Sequence, residues 1–196
     1  MTFLIGLTGS IGMGKSTTAK LFANEGCEVW DADAAVHRLY SDAGLAVPPM
    51  QDVFPEAIEN NAVSRTKLKE IIRENKNAIE IIERIVHPLV AEDRAAFVQA
   101  ANSDILVLDI PLLFETGADD QMDATVCVTT DAQTQKERVM NRGRMSEEEF
   151  ATILAKQMPD AEKRARADYV IVTDTIQHAE NQVRAIVSEI REKLNA

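Results

Sequence analysis

Residues 9–16 combine glycines with a lysine and a serine at a spacing that could bind phosphate. They match the pattern G-x-x-x-x-G-K-[ST] without a mismatch. In such a loop, backbone N–H groups bind the β-phosphate of a nucleotide, the lysine lies near the β- and γ-phosphates, and the serine hydroxyl can bind Mg²⁺. A dinucleotide loop is not indicated, because the third glycine of G-x-G-x-x-G falls on Thr17. The predicted nucleotide-binding residues are Gly12, Met13, Gly14, Lys15, Ser16 and Thr17.

Carboxylates follow two predicted strands and could transfer a proton or bind a metal ion. Asp31 and Asp33 end the second strand, and Asp109 ends the third. Ligands of open parallel sheets bind outside the carboxyl ends of the strands, so these groups would face the phosphates. A carboxylate there could deprotonate an acceptor hydroxyl or bind Mg²⁺ through water, and the alternative is a simple helix cap. We favour function for Asp33, capping or support for Asp31, and metal organisation for Asp109.

Apolar segments that alternate with helices must position these residues. The predicted strands are 3–7, 27–31, 105–110, 124–129 and 169–172. Helices are expected after the phosphate loop, at 32–41, between the last two strands and at 176–194, with Asp131 and Ser146 as N-terminal caps. This alternation predicts an α/β fold with a parallel five-stranded sheet flanked by helices.

The stretch between the second and third strands is long and contains no convincing strand. It begins as a loop with Pro48, Pro49 and Pro55 and becomes helical after Ser64, an expected N-cap. The pair His87-Pro88 is expected to interrupt the helical spacing, with another helix from 89 to 101. We therefore expect a helical subdomain beside the main sheet.

Composition argues against several classes of protein. The net charge of −11 opposes general binding to nucleic acid. No apolar run approaches about 18 residues, and no basic region precedes the apolar N-terminal stretch, so neither a membrane span nor a signal peptide is expected. Cys27 and Cys127 fall in apolar segments and are expected to be buried free thiols. The three histidines lack metal-ligand spacing.

The segment 136–166 is mildly basic within an acidic chain, with eight lysines and arginines against six acids. A local anion site and a solvated pair of charged helices explain this composition about equally well. The D-x-x-G and N-K-x-D motifs of GTPases are missing, which favours a small kinase over a nucleotide switch.

Motifs along nearly the whole chain resemble those of dephospho-coenzyme A kinases. The run from Gly6 to Ser16, then Asp31-Ala32-Asp33 before His37-Arg38, and then His87-Pro88-Leu89 match that family in order. Its most distinctive segment is matched by Asp109-Ile110-Pro111-Leu112-Leu113-Phe114-Glu115. Further matches are Gln135, Arg138, Arg142, Gln157, Lys163-Arg164 and Ala167-Asp168-Tyr169. The phosphate loop occurs in many families, whereas these elements together are specific.

The resemblance implies a P-loop kinase that uses ATP and Mg²⁺. Such an enzyme transfers the γ-phosphoryl group to the ribose 3′-hydroxyl of dephospho-coenzyme A, the last step of coenzyme A biosynthesis. A cytoplasmic location is expected from the missing targeting segment and the need for ATP. Asp33 would be the base for the hydroxyl, Lys15 would bind phosphate, and Ser16 with Asp109, through water, would bind Mg²⁺. Arg138 or Arg142 would bind ATP and stabilise the phosphoryl charge, and we favour Arg142, with Arg138 as a structural alternative.

The resemblance also implies a division of the chain. A core of about 1–41, 104–142 and 168–196 would carry a helical acceptor-binding subdomain, about 42–103, and a helical lid, about 143–167. The residues expected to bind the acceptor are Asp33, Arg65, His87, Pro111, Leu112 and Leu113. The alternatives are a solvated Arg65, an interior or capping His87 and a core position for the Pro-Leu-Leu segment.

Three positions depart from the family pattern. Gly143-Arg144 stands where the family usually has Asp, so Arg144 could share the phosphate-binding role. Thr173-Asp174-Thr175 replaces an Asn and Gly near the adenine pocket, so adenine recognition by backbone groups is expected. Ser64 replaces an Asp before Arg65.

Two other functions compete with this interpretation. A nucleoside or nucleotide kinase is the nearest, although the chain lacks the D-G-x-P-R type of segment. A non-catalytic nucleotide-binding module is the alternative from another class, but Lys15 and the strand-end carboxylates are present. The expected partners are small-molecule substrates, with no nucleic acid, membrane or obligate protein partner.

Overall fold

The largest sheet of the protein has five strands in the computed structural model, which describes residues 2–143 and 145–196. Numbered in chain order, the strands within these ranges are β1 (Phe3–Thr8), β2 (Glu28–Asp31), β3 (Ile58–Glu59), β4 (Ala62–Val63), β5 (Ile105–Asp109), β6 (Ala124–Thr129) and β7 (Tyr169–Val172). The five-stranded sheet has the order β2-β5-β1-β6-β7, while β3 and β4 form a separate antiparallel hairpin. The predicted parallel five-stranded sheet is therefore confirmed.

Parallel pairing brings the functional ends of the strands to one edge. Leu7 of β1 is aligned with Asp109 of β5, and Thr8 is aligned with Cys127 of β6. All residues of β5 and β6 are buried, as expected for strands covered on both faces. The segments that follow β1 and β5 therefore emerge side by side.

Helices occupy most of the connections between strands. Over the described ranges they are α1 (Lys15–Asn24), α2 (Ala32–Tyr40), α3 (Val47–Val53), α4 (Arg65–Glu74), α5 (Ala78–Ala100), α6 (Ala132–Asn141), α7 (Glu147–Lys156), α8 (Asp160–Arg166) and α9 (Ile176–Leu194). The predicted caps are confirmed, because Asp131 accepts a hydrogen bond from the Thr134 N–H and Ser146 forms a complete capping box with Glu149. None of these helices combines the length and the apolar character that a membrane crossing needs.

The chain divides into two compact units. The core unit comprises the residues up to Trp30 and from Ala101 onward, and the inserted unit is Asp31–Ala100. In the core unit, Ile5 and Val126 of the sheet pack with Phe22 of α1 and Val183 of α9 in one apolar cluster. The inserted unit has an apolar cluster of its own, which includes Leu39, Met50, Phe54, Leu68, Ile82 and Val86.

The inserted unit differs from the prediction in two places before α4. The expected loop at Pro48 and Pro49 is the start of α3, where backbone N–H groups need no partner within the helix and proline is tolerated. The hairpin of β3 and β4 was not predicted. Its turn residues Asn60 and Asn61 have φ of 50° and 60°, the left-handed values that a two-residue hairpin turn requires and asparagine adopts readily.

The predicted break at His87-Pro88 is also wrong. Helix α5 continues through Pro88 for 23 residues. Pro88 has no N–H, so the helix lacks one hydrogen bond, the one to the carbonyl of Arg84. Because Arg84 and Pro88 are both exposed, water can bind that carbonyl. Ile82 and Val86 are buried in the cluster of the inserted unit, and this packing favours a continuous helix over a break.

Candidate active site

The phosphate loop connects the end of β1 to the first turn of α1. The Met13 N–H donates to the Ser10 carbonyl, and the N–H groups of Thr17 and Thr18 donate to the Gly14 carbonyl. Gly14 is the N-cap of α1 and has φ of 94°. A Cβ at this position would lie 3.0 Å from the Thr173 Oγ1, so both the conformation and the space require glycine. The loop thereby presents the N-terminus of α1, which favours an anion.

Lys15 and Asp109 form an ion pair beside this loop. Asp109 is only 2% exposed, and the Lys15 ammonium offsets the cost of burying its carboxylate. The pair brings together two predicted site residues that are 94 positions apart. Their direct contact was not predicted, because the sequence indicates only that both lie at the carboxyl edge of the sheet.

A cavity of about 200 Å³ lies beside the start of α1. Four predicted ATP-binding residues line it, Gly14, Thr17, Arg138 and Arg142. The opposite lining comes from the segment after β7, residues 173–176. Only the family resemblance indicated that this segment lies near adenine. The cavity could hold part of a nucleoside next to the phosphate loop.

The two arginines of α6 have different surroundings. Arg138 donates from Nη1 to the Thr173 Oγ1 at 3.0 Å and from Nη2 to the Thr173 carbonyl at 2.5 Å. The Thr173 hydroxyl donates in turn to the Met13 carbonyl at 2.7 Å. Arg138 therefore supports the junction between the phosphate loop and the segment after β7.

Arg142 is exposed at the C-terminal end of α6. Within residues 2–143 and 145–196 its guanidinium has neither an ion-pair partner nor a hydrogen-bond acceptor. It lines the same cavity as Gly14 and can turn toward a phosphate there. Arg144, which was predicted to share this role, lies outside the described residues.

The segment after β5 contributes three predicted acceptor-binding residues with different exposure. The Pro111 carbonyl accepts hydrogen bonds from the Thr8 hydroxyl and from Lys163 Nζ, both at 3.1 Å. Leu112 is 41% exposed and can contact a ligand. Leu113 is fully buried, and its side chain occupies the space that a Cβ on Gly6 would need. A direct contact between Leu113 and an acceptor would need a change of packing.

A buried lysine fixes this segment to α8. Lys163 is 0% exposed and lies 2.8 Å from the Glu115 carboxylate, which also accepts from the Met158 N–H at 2.8 Å. Burial raises the pKa of Glu115, but the hydrogen bonds from Lys163 and Met158 outweigh it and leave the pKa below its ordinary value. In the sequence Lys163 stands out only as part of a family motif, and nothing in its spacing indicates that it is buried.

The inserted unit contains the remaining predicted site residues. Asp33 is exposed in the first turn of α2, where a carboxylate is favoured by the helix dipole. Asp31 caps that helix by accepting from the Ala34 N–H at 2.8 Å, which confirms its capping role. Arg65 lies over the ring of Tyr40 at 5.9 Å, and His87 is exposed on α5. The binding roles of Asp33, Arg65 and His87 stay predictions.

The residues around the phosphate loop fit a Mg²⁺ ion that arrives with ATP. In the parts of the chain that are described, no group of three or more His, Cys, Asp or Glu could hold a metal ion by itself. Mg²⁺ in phosphoryl-transfer sites needs few protein ligands, because phosphate oxygens and water complete its shell. The Ser16 hydroxyl is exposed at the start of α1, and Asp109 lies at the adjacent strand end.

Comparison with known proteins gives a consistent result. The family model described as dephospho-CoA kinase matches residues 3–178. A dephospho-CoA kinase of Ruegeria pomeroyi is 62% identical over 191 residues, which cover 97% of each chain. Among solved structures, TT1252 from Thermus thermophilus has a TM-score of 0.85 at 30% identity and covers 96% of this chain and 97% of its own. Dephospho-CoA kinase from Campylobacter jejuni has a TM-score of 0.73 at 24% identity, covering 98% and 99%, which supports the fold.

Proposed function

The chain belongs to the dephospho-CoA kinase family, and from this premise we propose how its residues carry out the reaction. The γ-phosphoryl group of ATP is transferred to the ribose 3′-hydroxyl of dephospho-coenzyme A, which yields coenzyme A and ADP. The observation that carries the proposal is the ion pair of Lys15 with Asp109 at the end of the phosphate loop. It joins the residue that binds phosphate to a strand-end carboxylate in a family of ATP-dependent kinases.

ATP binds with its phosphates at the loop from Gly12 to Thr17. The backbone N–H groups at the start of α1 and the Lys15 ammonium neutralise charge on the β- and γ-phosphates. The nucleoside occupies the cavity lined by Arg138 and residues 173–176. Backbone groups after β7 recognise adenine in this arrangement.

Asp33 accepts the proton of the acceptor hydroxyl. A carboxylate in this role increases the rate by about 10²- to 10⁴-fold when it is positioned within hydrogen-bond reach of that hydroxyl. Its exposure leaves it accessible to an acceptor. Arg65, His87, Pro111 and Leu112 are the residues that we propose bind the remainder of dephospho-coenzyme A, and the fully buried Leu113 would need a change of packing to reach it.

Mg²⁺ would be held by the Ser16 hydroxyl and, through water, by Asp109, and it would neutralise phosphate charge when bound. Arg142 stabilises the charge that develops on the transferring phosphoryl group. Its guanidinium is suited to this because it has no partner among the described residues. The segment 143–167 acts as a lid that excludes water and so limits ATP hydrolysis.

The substrates ATP and dephospho-coenzyme A follow from the family. The proposal further places the reaction in the cytoplasm, where ATP is available. It requires no nucleic acid, membrane or second protein.

The first test is release of ADP from Mg-ATP with and without dephospho-coenzyme A, with the product identified by mass and the phosphorylated position by NMR. We expect ADP release that depends on the acceptor and one phosphate added at the ribose 3′ position. Lys15→Ala should lose this activity, because phosphate binding and charge neutralisation both weaken. Lys20→Ala, an exposed lysine of the same helix α1, is the matched control and should retain it.

AMP, CMP and nucleosides serve as competing acceptors in the same assay. Faster turnover with one of them would replace the proposal with a nucleoside or nucleotide kinase. ATP binding by a folded protein without turnover of any acceptor would favour a non-catalytic nucleotide-binding module.

A further inference from the structure

Side chains of two glutamines bind the backbone N–H and C=O groups of Ile11 in the phosphate loop. The Ile11 N–H donates to Gln157 Oε1 at 3.2 Å, and the Ile11 carbonyl accepts from Gln135 Nε2 at 2.7 Å. Gln135 is buried on α6, whereas Gln157 is half-buried and caps the C-terminal end of α7. The Ile11 N–H is therefore not one of the groups available to bind phosphate.

Two successive residues at the end of α7 form hydrogen bonds to two other segments of the core unit. Gln157 is bound to the phosphate loop, and the N–H of the next residue, Met158, donates to Glu115 in the segment after β5. In the proposed reaction the loop binds ATP and that segment contacts the acceptor. The end of α7 is thus connected to the loop that binds ATP and to the segment that contacts the acceptor.

Beside this hydrogen bond the phosphate loop and the end of α7 border an open space. A cavity of about 490 Å³ is lined by Ser10 and Met13 of the loop, by Gln135 of α6, and by Leu154, Gln157 and Pro159 at the end of α7. The Gln157 side chain is the group at this place that joins α7 directly to the loop backbone among the described residues.

We infer that Gln157 is a positioning residue that links the position of α7 to the conformation of the phosphate loop through the Ile11 N–H. When ATP changes the conformation of the phosphate loop, the hydrogen bond from the Ile11 N–H to Gln157 moves the end of α7. A movement of α7 changes the conformation of the loop through the same bond. Gln135 binds the Ile11 carbonyl in the next peptide unit, so the two peptide groups that flank the Ile11 Cα are each held by a glutamine. That α7 belongs to a lid rests on the proposed function, whereas the hydrogen bond itself does not.

Amide hydrogen exchange of Ile11, followed by NMR, tests the hydrogen bond directly. Gln157→Leu keeps a side chain of similar size but removes the acceptor, and we expect the Ile11 N–H to exchange about 2- to 10-fold faster. Gln157→Glu keeps an acceptor oxygen and should restore slow exchange. Lys156→Ala, an exposed neighbour on α7, is the control and should leave the exchange rate unchanged.

Steady-state kinetics test the consequence for the reaction. Gln157→Leu should raise the KM for ATP by about 2- to 10-fold, with a smaller effect on the KM for dephospho-coenzyme A. It should also increase the ADP released without acceptor relative to the coupled reaction. Gln157→Glu should lie closer to wild type, even though a negative charge near the phosphates would by itself weaken ATP binding.

The inference is overturned if Ile11 exchanges equally fast in wild type and Gln157→Leu. It is also overturned if exchange accelerates without any change in the KM for ATP. A wild-type protein that shows slow Ile11 exchange but no acceptor-dependent ADP release would instead refute the proposed function, so the two failures are distinguishable.

Discussion

Arg138 and Arg142 lie one helical turn apart, but of the two only Arg138 donates hydrogen bonds to another described residue. Arg138 is bonded to Thr173, whereas Arg142 is exposed and lines the cavity beside the phosphate loop. Arg138 uses two of its five N–H donors on Thr173, whereas Arg142 donates none to another described residue and has all five available for the transferring phosphoryl group. The roles that the sequence left open between these arginines can therefore be separated by experiment.

Arg142→Ala should lower kcat by about 100-fold or more, the loss typical of removing one transition-state donor. Because the guanidinium is exposed and has no hydrogen-bond or ion-pair partner among the described residues, the midpoint of thermal unfolding should stay within about one degree of wild type. Stopped-flow or coupled ADP release and calorimetry measure the two quantities. A variant that keeps near-wild-type kcat would remove Arg142 from the catalytic role.

Arg138→Ala should, in contrast, lower stability. Two hydrogen bonds to Thr173 are lost, one of them to a backbone carbonyl, so the free energy of unfolding should fall by about 1–3 kcal/mol and the KM for ATP should rise. Lys136→Ala is the control, because its ion pair with Glu147 is exposed and should contribute little. Urea unfolding that is the same for Arg138→Ala and wild type would contradict a supporting role.

Asp33→Asn should lose turnover by about 100-fold or more and retain ATP binding, because the carboxylate acts on the acceptor hydroxyl and not on the nucleotide. Isothermal titration with a non-hydrolysable ATP analogue and the ADP-release assay separate the two effects. Asp52→Asn, at an exposed position of α3, is the control and should behave as wild type. Turnover by Asp33→Asn at the wild-type rate would assign the base to another group.

At the scale of elements, the sequence predicted the main sheet well because each of its strands is an apolar run between helix signals. The phosphate loop and Asp109 were found for the same reason, since motif and strand end are both local features. The contacts of Thr173 with Arg138 and of Lys163 with Glu115 were missed, because they join residues 35 and 48 positions apart and no local pattern records them. The course of α5 through Pro88 was missed because burial of its apolar face outweighs one absent hydrogen bond.

Lys163→Met should destabilise the protein by about 3–5 kcal/mol, because it leaves the Glu115 carboxylate partly buried beside α8 without its cation. Adding Glu115→Gln to Lys163→Met should recover part of that loss, since the remaining pair is neutral. Urea unfolding of the two single variants and the double variant measures the coupling. Strictly additive effects would show that the pair contributes nothing beyond its separate residues.

The Glu115 carboxylate should also make the free energy of unfolding depend on pH. The native pKa of Glu115 lies below its ordinary value of 4.5, so its contribution is complete above that pH and is lost as the pH falls through the native pKa. Glu115→Gln should therefore show a smaller loss of unfolding free energy than wild type when the pH is lowered below 4.5. Parallel losses in both proteins would assign the acid sensitivity to other groups.

At the scale of the whole molecule, the two thiols report on unfolding. Cys27 and Cys127 are free and buried, as predicted, and burial raises their pKa to about 11 and about 12. At pH 8 they are protonated and shielded, so a thiol reagent such as Ellman's reagent should modify neither in the native protein and both in urea. Rapid modification of one thiol in the native state would reveal local opening of the core unit.

The sheet order has a consequence for how the chain is made. Phe3 of β1 pairs with Ile105 of β5, and the whole inserted unit lies between them in the sequence. Synthesis proceeds from the N-terminus, so β1 leaves the ribosome long before its two neighbours exist, whereas the residues of the inserted unit emerge together with their own apolar cluster. The inserted unit can therefore fold while β1 is still unpaired, and the phosphate loop gains its shape only after β5 and β6 arrive.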